Sequence, residues 1–238
     1  MEVHAHTHTE RKKFTHYLWE FLMLFLAVFC GFLAEYQLEH KIERERGKQY
    51  IRSFYEDLTT DTSTFSRLIT TYEIKMAAMK GRQECFDSLN RNIKSESCFW
   101  TLVFHSTNFP DLIYTDRTLQ QLKNAGGLRL LKPVDADSIL NYDNLLREYA
   151  KAETTSQQET QASIRNTLYS LINHQKLIGS GAGQPVSFLY GNNQELLNRY
   201  FNQLWGYTAT CEDLLIALRH INKRAISLIT YFKKKYNL

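Results

Sequence analysis

One apolar stretch near the N-terminus constrains this chain more than any other feature. Phe21 to Ala34 is fourteen residues whose only polar side chain is the thiol of Cys30. A membrane-spanning helix needs about 20 residues, and the stretch reaches that length when it is extended to residues 17–36. Three aromatic residues then fall where an interfacial belt is expected: Tyr17, Trp19 and Tyr36. The sequence therefore predicts a transmembrane helix over 17–36, with a buried core helix as the alternative.

Two carboxylates lie near the ends of the predicted span. Glu20 and Glu35 would sit close to the two head-group levels, where a charge costs less than at the midplane. A cleaved signal peptide is not indicated, because Glu20 and many Phe residues interrupt its pattern and Phe29 precedes Cys30 where a lipoprotein signal needs a small residue. We therefore expect an uncleaved anchor that places the protein in a bacterial inner membrane.

The orientation of the span is weakly encoded. Three Lys or Arg residues precede it, and Lys41, Arg44, Arg46 and Lys48 follow it, so the positive-inside count is nearly even. We expect a cytoplasmic N-terminus and a periplasmic C-terminal domain. The reverse orientation is the alternative.

Small residues recur on one face of the span. Ala27, Gly31 and Ala34 are spaced by four and three, a pattern that lets membrane helices approach closely. The pattern predicts a helix-packing seam, and the alternative is that these residues only reflect the usual composition of spans.

The polar tail before the span, residues 1–16, carries three alternating histidines. His4, His6 and His8 could together bind a metal ion, since neutral imidazole is a good ligand. A short tail of this kind is more commonly solvated, and we expect neither a metal nor another cofactor.

Composition favours helices over other structures. The 238 residues include three prolines and ten glycines, and the net charge of +4 is spread along the chain. No dense basic patch indicates a nucleic-acid partner. Of the four cysteines, none forms a CxxC pair, so a zinc or redox motif is not indicated. Cys85 and Cys98 are the easiest pair to join, although the sequence alone does not choose among the pairings.

A heptad repeat follows the span. It predicts a membrane-proximal helix over 37–94 with an a/d-type seam, and four residues at plus four, Tyr55, Thr62, Ile69 and Met76, would complete that seam. The apolar or aromatic residues of the repeat are Ile51, Leu58, Phe65, Tyr72, Met79 and Phe86. A stripe of this kind is typical of a helical core.

The remaining residues, 95–238, are expected to form a helical bundle. Cys98 to Phe104 is apolar and fits a helical turn or a buried strand. Thr115 or Asp116 would cap a short helix that ends at a glycine corner, 126–127. Asp135 or Asp137 would cap the next helix, which is either one long helix or two helices with a frayed join over 153–161.

Two final helices follow a glycine-rich loop at 179–191. The loop lacks the Gly-Lys-Ser/Thr ending of a phosphate loop. Asn192 or Asn193 would begin the first of these helices, Gly206 would interrupt it, and a last helix would start at Cys211. The run Lys233-Lys234-Lys235 would favour that helix's C-terminus electrostatically or contact anionic lipid.

The membrane stretch carries a resemblance to a known family. Residues 14–35, with Lys48-Gln49-Tyr50-Ile51, Glu56-Asp57-Leu58 and the glycine corner, resemble an uncharacterised family of single-span proteins from Bacteroidota. The resemblance implies a membrane-anchored helical protein and assigns no activity. His16, Glu20 and Glu35 match the family's pattern without a role attached to them.

The sequence thus predicts an all-α protein: one N-terminal transmembrane helix that continues into a long helix, followed by an elongated helical bundle. No GxSxG, HExxH or phosphate-loop motif is present. We expect a membrane-tethered interaction or scaffold protein without catalysis and without a small-molecule substrate, whose partners are the lipid bilayer and either a second copy or another envelope protein. The alternatives are an ion-coupled or signal-transmitting subunit that uses Glu20, and an enzyme whose site no motif reveals.

Overall fold

The computed structural model describes residues 14–91, 96–108, 110–175, 189 and 193–238. Within these ranges the chain is helical, and the one pairing of β type is an isolated antiparallel bridge between Ile172 and Leu189. The expected all-α class and helical bundle are confirmed. The chain divides into two compact units, Met1–Gln49 and Tyr50–Leu238.

Helix α1, Phe14–Met79, is the longest element and belongs to both units. It is the one helix among the described residues that is long and apolar enough to cross a membrane, and none of the residues in its apolar window is buried. From Ile51 onward, the same helix contributes side chains to the core of the second unit.

A turn interrupts the helix predicted over 37–94. The chain turns at Lys80 and Gly81, and α2 then runs over Arg82–Asn90. Glycine has a low helix propensity, and the Arg82 guanidinium donates a hydrogen bond to the Met79 carbonyl oxygen at 2.9 Å, which satisfies an acceptor at the end of α1. Phe86 therefore lies on a separate helix from the rest of the heptad repeat.

A disulfide joins α2 to the next helix. Helix α3 spans Glu96–Thr107, so the apolar stretch around Cys98 is helical and not a strand. Cys85 and Cys98 are bonded, with their Cα atoms 5.7 Å apart, and the two remaining cysteines are Cys30 and the buried Cys211.

The glycine corner follows α4, Arg117–Asn124, and leads into a 3₁₀ turn, Gly127–Leu130. Gly126 has φ of +67°, a left-handed conformation that side chains other than glycine adopt only with strain. At Gly127 an added Cβ would lie 3.1 Å from side-chain atoms of Leu122 and Tyr50, so a larger residue would fit only if these neighbours shifted by a few tenths of an ångström.

Two long antiparallel helices complete the bundle. Helix α5, Pro133–Leu171, remains helical through its polar middle, and α6, Gln194–Tyr236, continues without a break at Gly206. The expected interruption at Gly206 is therefore wrong. Asn193 caps α6 by accepting a hydrogen bond from the Leu196 amide at 3.1 Å.

The start of α5 also differs from expectation. Lys132 is the N-cap residue, and Pro133 occupies the first turn, where its missing N–H costs nothing. Asp135 instead reaches across to the last turns of α6, which lie beside the start of α5. Its carboxylate accepts hydrogen bonds from the side chains of Tyr231 at 2.8 Å, Lys235 at 2.6 Å and Tyr236 at 2.6 Å. Burial opposes its ionisation, but these bonds outweigh burial and lower the pKa of Asp135.

The core of the second unit lies where α1, α5 and α6 meet. Phe54 of α1 packs edge-on against Tyr142 of α5 and Phe232 of α6, with ring centroids 6.0 Å apart in both pairs. Such contacts contribute about 1 kcal/mol each beyond the burial of the rings.

Removal of the disulfide should destabilise the second unit by about 3 kcal/mol, because the bond closes a short loop in the unfolded chain. The double variant Cys85→Ser/Cys98→Ser would be compared with the oxidised protein by denaturant unfolding in detergent, followed by circular dichroism. Cys30→Ser is the control and should leave the transition unchanged. Equal midpoints for the double variant and the oxidised protein would contradict the expectation.

Candidate functional site

The residues predicted to act in the membrane are all exposed on α1. Glu20 lies 2.9 Å from the His16 imidazole, one turn away on the same helix. Ala27, Gly31, Ala34 and Glu35 are exposed, and no atom lies within 4 Å of a Cβ built on Gly31. A small-residue face is thus accessible on α1, and Glu20 is paired with His16 of the same helix.

Five residues of the predicted heptad seam are fully buried, and one is not. The buried residues are Ile51, Leu58, Phe65, Tyr72 and Met79. Phe86 is half-buried on α2, where its ring centroid lies 4.9 Å from that of Phe201.

The second column of the seam differs from the prediction. The residues expected at plus four, Tyr55, Thr62, Ile69 and Met76, are only half-buried. The buried column lies at plus three and alternates apolar with charged residues: Phe54, Asp61, Leu68 and Lys75. Two charged side chains of α1, Asp61 and Lys75, therefore lie inside the core.

Four charged side chains form what we call the backbone clamp: Asp57, Asp61, Lys75 and Glu153. Each is at most 5 % exposed. They bind the connection between α3 and α4, residues 108–116, together with the adjoining helix ends. The clamp is the candidate functional site that the fold assembles.

Asp57 and Asp61 of α1 hold the start of α4. Asp57 accepts hydrogen bonds from the Thr118 amide at 3.3 Å, from the Thr118 hydroxyl, and from the Arg117 guanidinium at 3.2 Å. One turn later, Asp61 accepts a hydrogen bond from the Thr115 amide at 2.8 Å. The expected cap residue, Asp116, makes no capping bond and instead accepts a hydrogen bond from the Gln120 side chain at 2.6 Å. Helix α4 is thus capped by another helix.

Lys75 holds the opposite end of the connection. Its ammonium donates hydrogen bonds to the carbonyl oxygens of His105, at 2.9 Å, and of Asn108. The His105 carbonyl also accepts a hydrogen bond from the Tyr207 hydroxyl at 2.8 Å. A cation at the C-terminal end of α3 meets carbonyl groups that have no partner inside the helix. Burial lowers the pKa of Lys75.

Glu153 of α5 binds the middle of the connection. One carboxylate oxygen accepts a hydrogen bond from the Leu112 amide at 3.0 Å, and the other accepts from the hydroxyls of Tyr72 at 3.3 Å and Tyr149 at 3.4 Å. Burial raises the pKa of Glu153, although these hydrogen bonds oppose the effect. The polar middle of α5, which shows no helical periodicity in the sequence, therefore contains a core residue.

One oxygen of Asp61 makes no hydrogen bond to the described residues, and the same is true of the buried Tyr142 hydroxyl. Burial, and to a lesser degree the nearby Asp57, raises the pKa of Asp61 to about 6, while the Thr115 contacts lower it. Asp61 also raises the pKa of Tyr142, after the larger effect of burial. The Asp61 carboxyl therefore titrates above the usual range of an aspartate.

The clamp holds backbone groups of the α3–α4 connection and the adjoining helix ends in place. It contains no Ser, Thr or Cys side chain that could act as a nucleophile. Cys211 lies nearby, but burial raises the pKa of its thiol to about 11, which keeps it protonated at neutral pH. Among the described residues, no group of three or more His, Cys, Asp or Glu side chains could hold a metal ion. His4, His6 and His8 lie outside those residues.

Sequence reasoning missed the clamp because it treated charged residues as solvated. A signal was present: Asp61 and Lys75 are two heptads apart and each lies three residues after a seam residue. The partners were not visible, since Thr115, Leu112 and His105 use backbone atoms that the sequence does not distinguish.

No family model, no curated protein and no solved structure matches this chain.

Replacement of the distant cap should cost more than replacement of the local one. Asp57→Ala leaves the Thr118 amide without its carboxylate partner and should lower the free energy of unfolding by about 2 kcal/mol. Asp116→Ala should change it by no more than about 0.5 kcal/mol. Denaturant titration of both variants measures the difference. A larger effect for Asp116→Ala would show that α4 is capped locally.

Asp61 should make stability depend on pH. Its folded-state pKa of about 6 exceeds the ordinary value of 3.8, so the native state binds more protons than the unfolded state between these limits. The contribution of Asp61 to the free energy of unfolding therefore falls as pH rises from about 4 to about 6, by about 1–2 kcal/mol after allowance for solvent screening.

Asp61→Asn removes that titration and keeps an oxygen that can accept from the Thr115 amide. The free energy of unfolding of the variant minus that of the wild type should therefore increase from about pH 4 to about pH 6. Denaturant unfolding at each pH measures this difference. A constant difference from pH 4 to pH 7 would contradict a raised pKa at Asp61.

Proposed function

We propose that this protein is a membrane-tethered helical interaction module, with α1 as its anchor. The observation that carries the proposal is the change in burial along this one helix. Large apolar side chains of its first part are exposed, among them Phe21, Leu24 and Phe32, whereas Ile51 to Met79 supply the core. Exposed apolar residues over the length of a span are stable in lipid and costly in water.

A periplasmic location of the second unit is part of the proposal. Disulfides persist in oxidising compartments such as the periplasm and are rare in the cytosol, and the Cys85–Cys98 bond joins two helices of this unit. That bond supports the cytoplasmic N-terminus that the charge count favours only slightly. Membership of the Bacteroidota family, which the membrane stretch resembles, is consistent with this arrangement and remains a proposal.

A role in association is supported by apolar side chains on the folded unit. Phe104, Ile113, Trp205 and Ile216 are each more than half exposed. Aromatic side chains, here Phe104 and Trp205, are enriched at protein–protein interfaces relative to the rest of the surface. We propose a second copy or another envelope protein as the partner, and association of α1 through the face of Ala27, Gly31 and Ala34.

Anchoring predicts the behaviour of the protein on cell lysis. The full-length chain should sediment with membranes, resist extraction by high salt or carbonate, and become soluble only in detergent. Immunoblots of the fractions measure this. A chain that stays in the supernatant after ultracentrifugation without detergent would refute the anchor.

Orientation requires new cysteines, because Cys85 is bonded and Cys211 is buried. In a Cys30→Ser background, Lys151→Cys on the exposed surface of α5 should react with a membrane-impermeant maleimide once the outer membrane is opened. Thr9→Cys in the N-terminal tail should react only after the inner membrane is also disrupted. The opposite pattern would place the second unit in the cytoplasm.

Association through the small-residue face should depend on its shape. Gly31→Leu adds bulk to that face and should reduce the mass of the particle measured in mild detergent by light scattering. Phe29→Leu, at an exposed position on the opposite side of the same span, is the control. A monomeric wild type with no companion protein would contradict the proposal.

A further inference from the structure

A groove between α2 and α6 has the chemistry of a sugar-binding site. It has a volume of about 280 Å³, at the lower end of the range for small-molecule sites. Its lining consists of three aromatic rings, three carboxamides and one guanidinium: Phe86, Phe201, Trp205, Gln83, Asn198, Asn202 and Arg82. Every lining side chain ends in a planar group, and the lining contains no aliphatic side chain and no carboxylate.

The aromatic part of the groove is accessible. The Trp205 side chain is 65 % exposed, although a tryptophan of a helical bundle is ordinarily buried. Phe201 lies one turn earlier on α6 and packs against Phe86 of α2, with ring centroids 4.9 Å apart. Together they present flat apolar surface at the wall of a polar groove.

Polar and aromatic groups in this combination match a pyranose ring. A pyranose has a face of C–H groups, which packs on an aromatic ring, and a rim of hydroxyls that both donate and accept hydrogen bonds. Carboxamides likewise both donate and accept in one plane, whereas carboxylates only accept. The size of the groove suits one ring. We propose that the groove between α2 and α6 binds a neutral pyranose sugar.

Two side-chain links hold α2 in position beside the groove. Helix α2 has nine residues, and Cys85, which precedes Phe86, is bonded to Cys98 of α3. At the end of α2, the Asn90 side-chain oxygen accepts a hydrogen bond from Gln194 of α6 at 2.6 Å. The short helix is thus linked to α3 near its middle and to α6 at its last residue, and such links contribute to the preorganisation of a ligand site. The proposal does not depend on the membrane anchor.

The test uses the full-length protein in lipid nanodiscs, because alkyl glycoside detergents themselves carry a pyranose ring. Saturation-transfer NMR and calorimetry would be run with methyl glucoside, with N-acetylglucosamine, and with glucuronic acid as an anionic probe. We expect binding of at least one neutral sugar, with transfer to its ring C–H protons. The two neutral probes distinguish a plain hexose from an N-acetylated one.

Variants locate the site. Trp205→Ala and Asn202→Ala should each weaken binding about tenfold or more, and Trp205→Phe should retain most of the affinity because a flat ring remains. Reduction of Cys85–Cys98 should also weaken binding by releasing α2. Tyr169→Ala removes an equally exposed aromatic residue from α5 and is the control. Thermal unfolding verifies that each variant is folded.

Three results would overturn the proposal: binding of neither neutral sugar, binding of glucuronic acid alone, or the same affinity for wild type, Trp205→Ala and Tyr169→Ala.

Discussion

Hydrogen bonds between buried charged side chains and backbone groups organise the second unit. The described residues of this connection, 108 and 110–116, form no regular secondary structure, so their amides and carbonyls need partners from elsewhere in the unit. Lys75, Glu153, Asp61 and Asp57 supply those partners from α1 and α5. Without these bonds, the ends of α3 and α4 would have no fixed position against the long helices.

The clamp also explains why ionisable groups are tolerated in the core. Burial of an isolated charge costs several kcal/mol, and a buried charge is stable only where hydrogen bonds compensate for the lost water. Asp57 has three such bonds, whereas Asp61 has one from an amide and a second oxygen with no bond to the described residues. The two neighbouring carboxylates therefore differ in how fully hydrogen bonds compensate for their burial, and burial raises the pKa of Asp61.

The sequence predicted what depends on local pattern. The helical class, the heptad positions from Ile51 to Met79 and the left-handed glycine after α4 follow from periodicity and backbone sterics. It did not predict the continuity of α6 through Gly206, because the packing of a long buried face outweighs the low propensity of a single exposed glycine. Nor did it predict the clamp or the cap of α4, since their partners are far apart in the chain. The groove between α2 and α6 likewise depends on a turn at Gly81 that the heptad pattern conceals.

The aromatic contact between Phe54 and Phe232 has a consequence for biosynthesis. Its two rings belong to α1 and α6, so the part of the buried face of α1 that packs on α6 stays uncovered until α6 has been synthesised. Contacts between residues so distant in sequence form slowly. If the unit is exported, the apolar face of α1 emerges from the translocon before α6 does. It is exposed to water until α6 arrives. We therefore expect chaperones of the receiving compartment to bind this apolar face until the unit has folded.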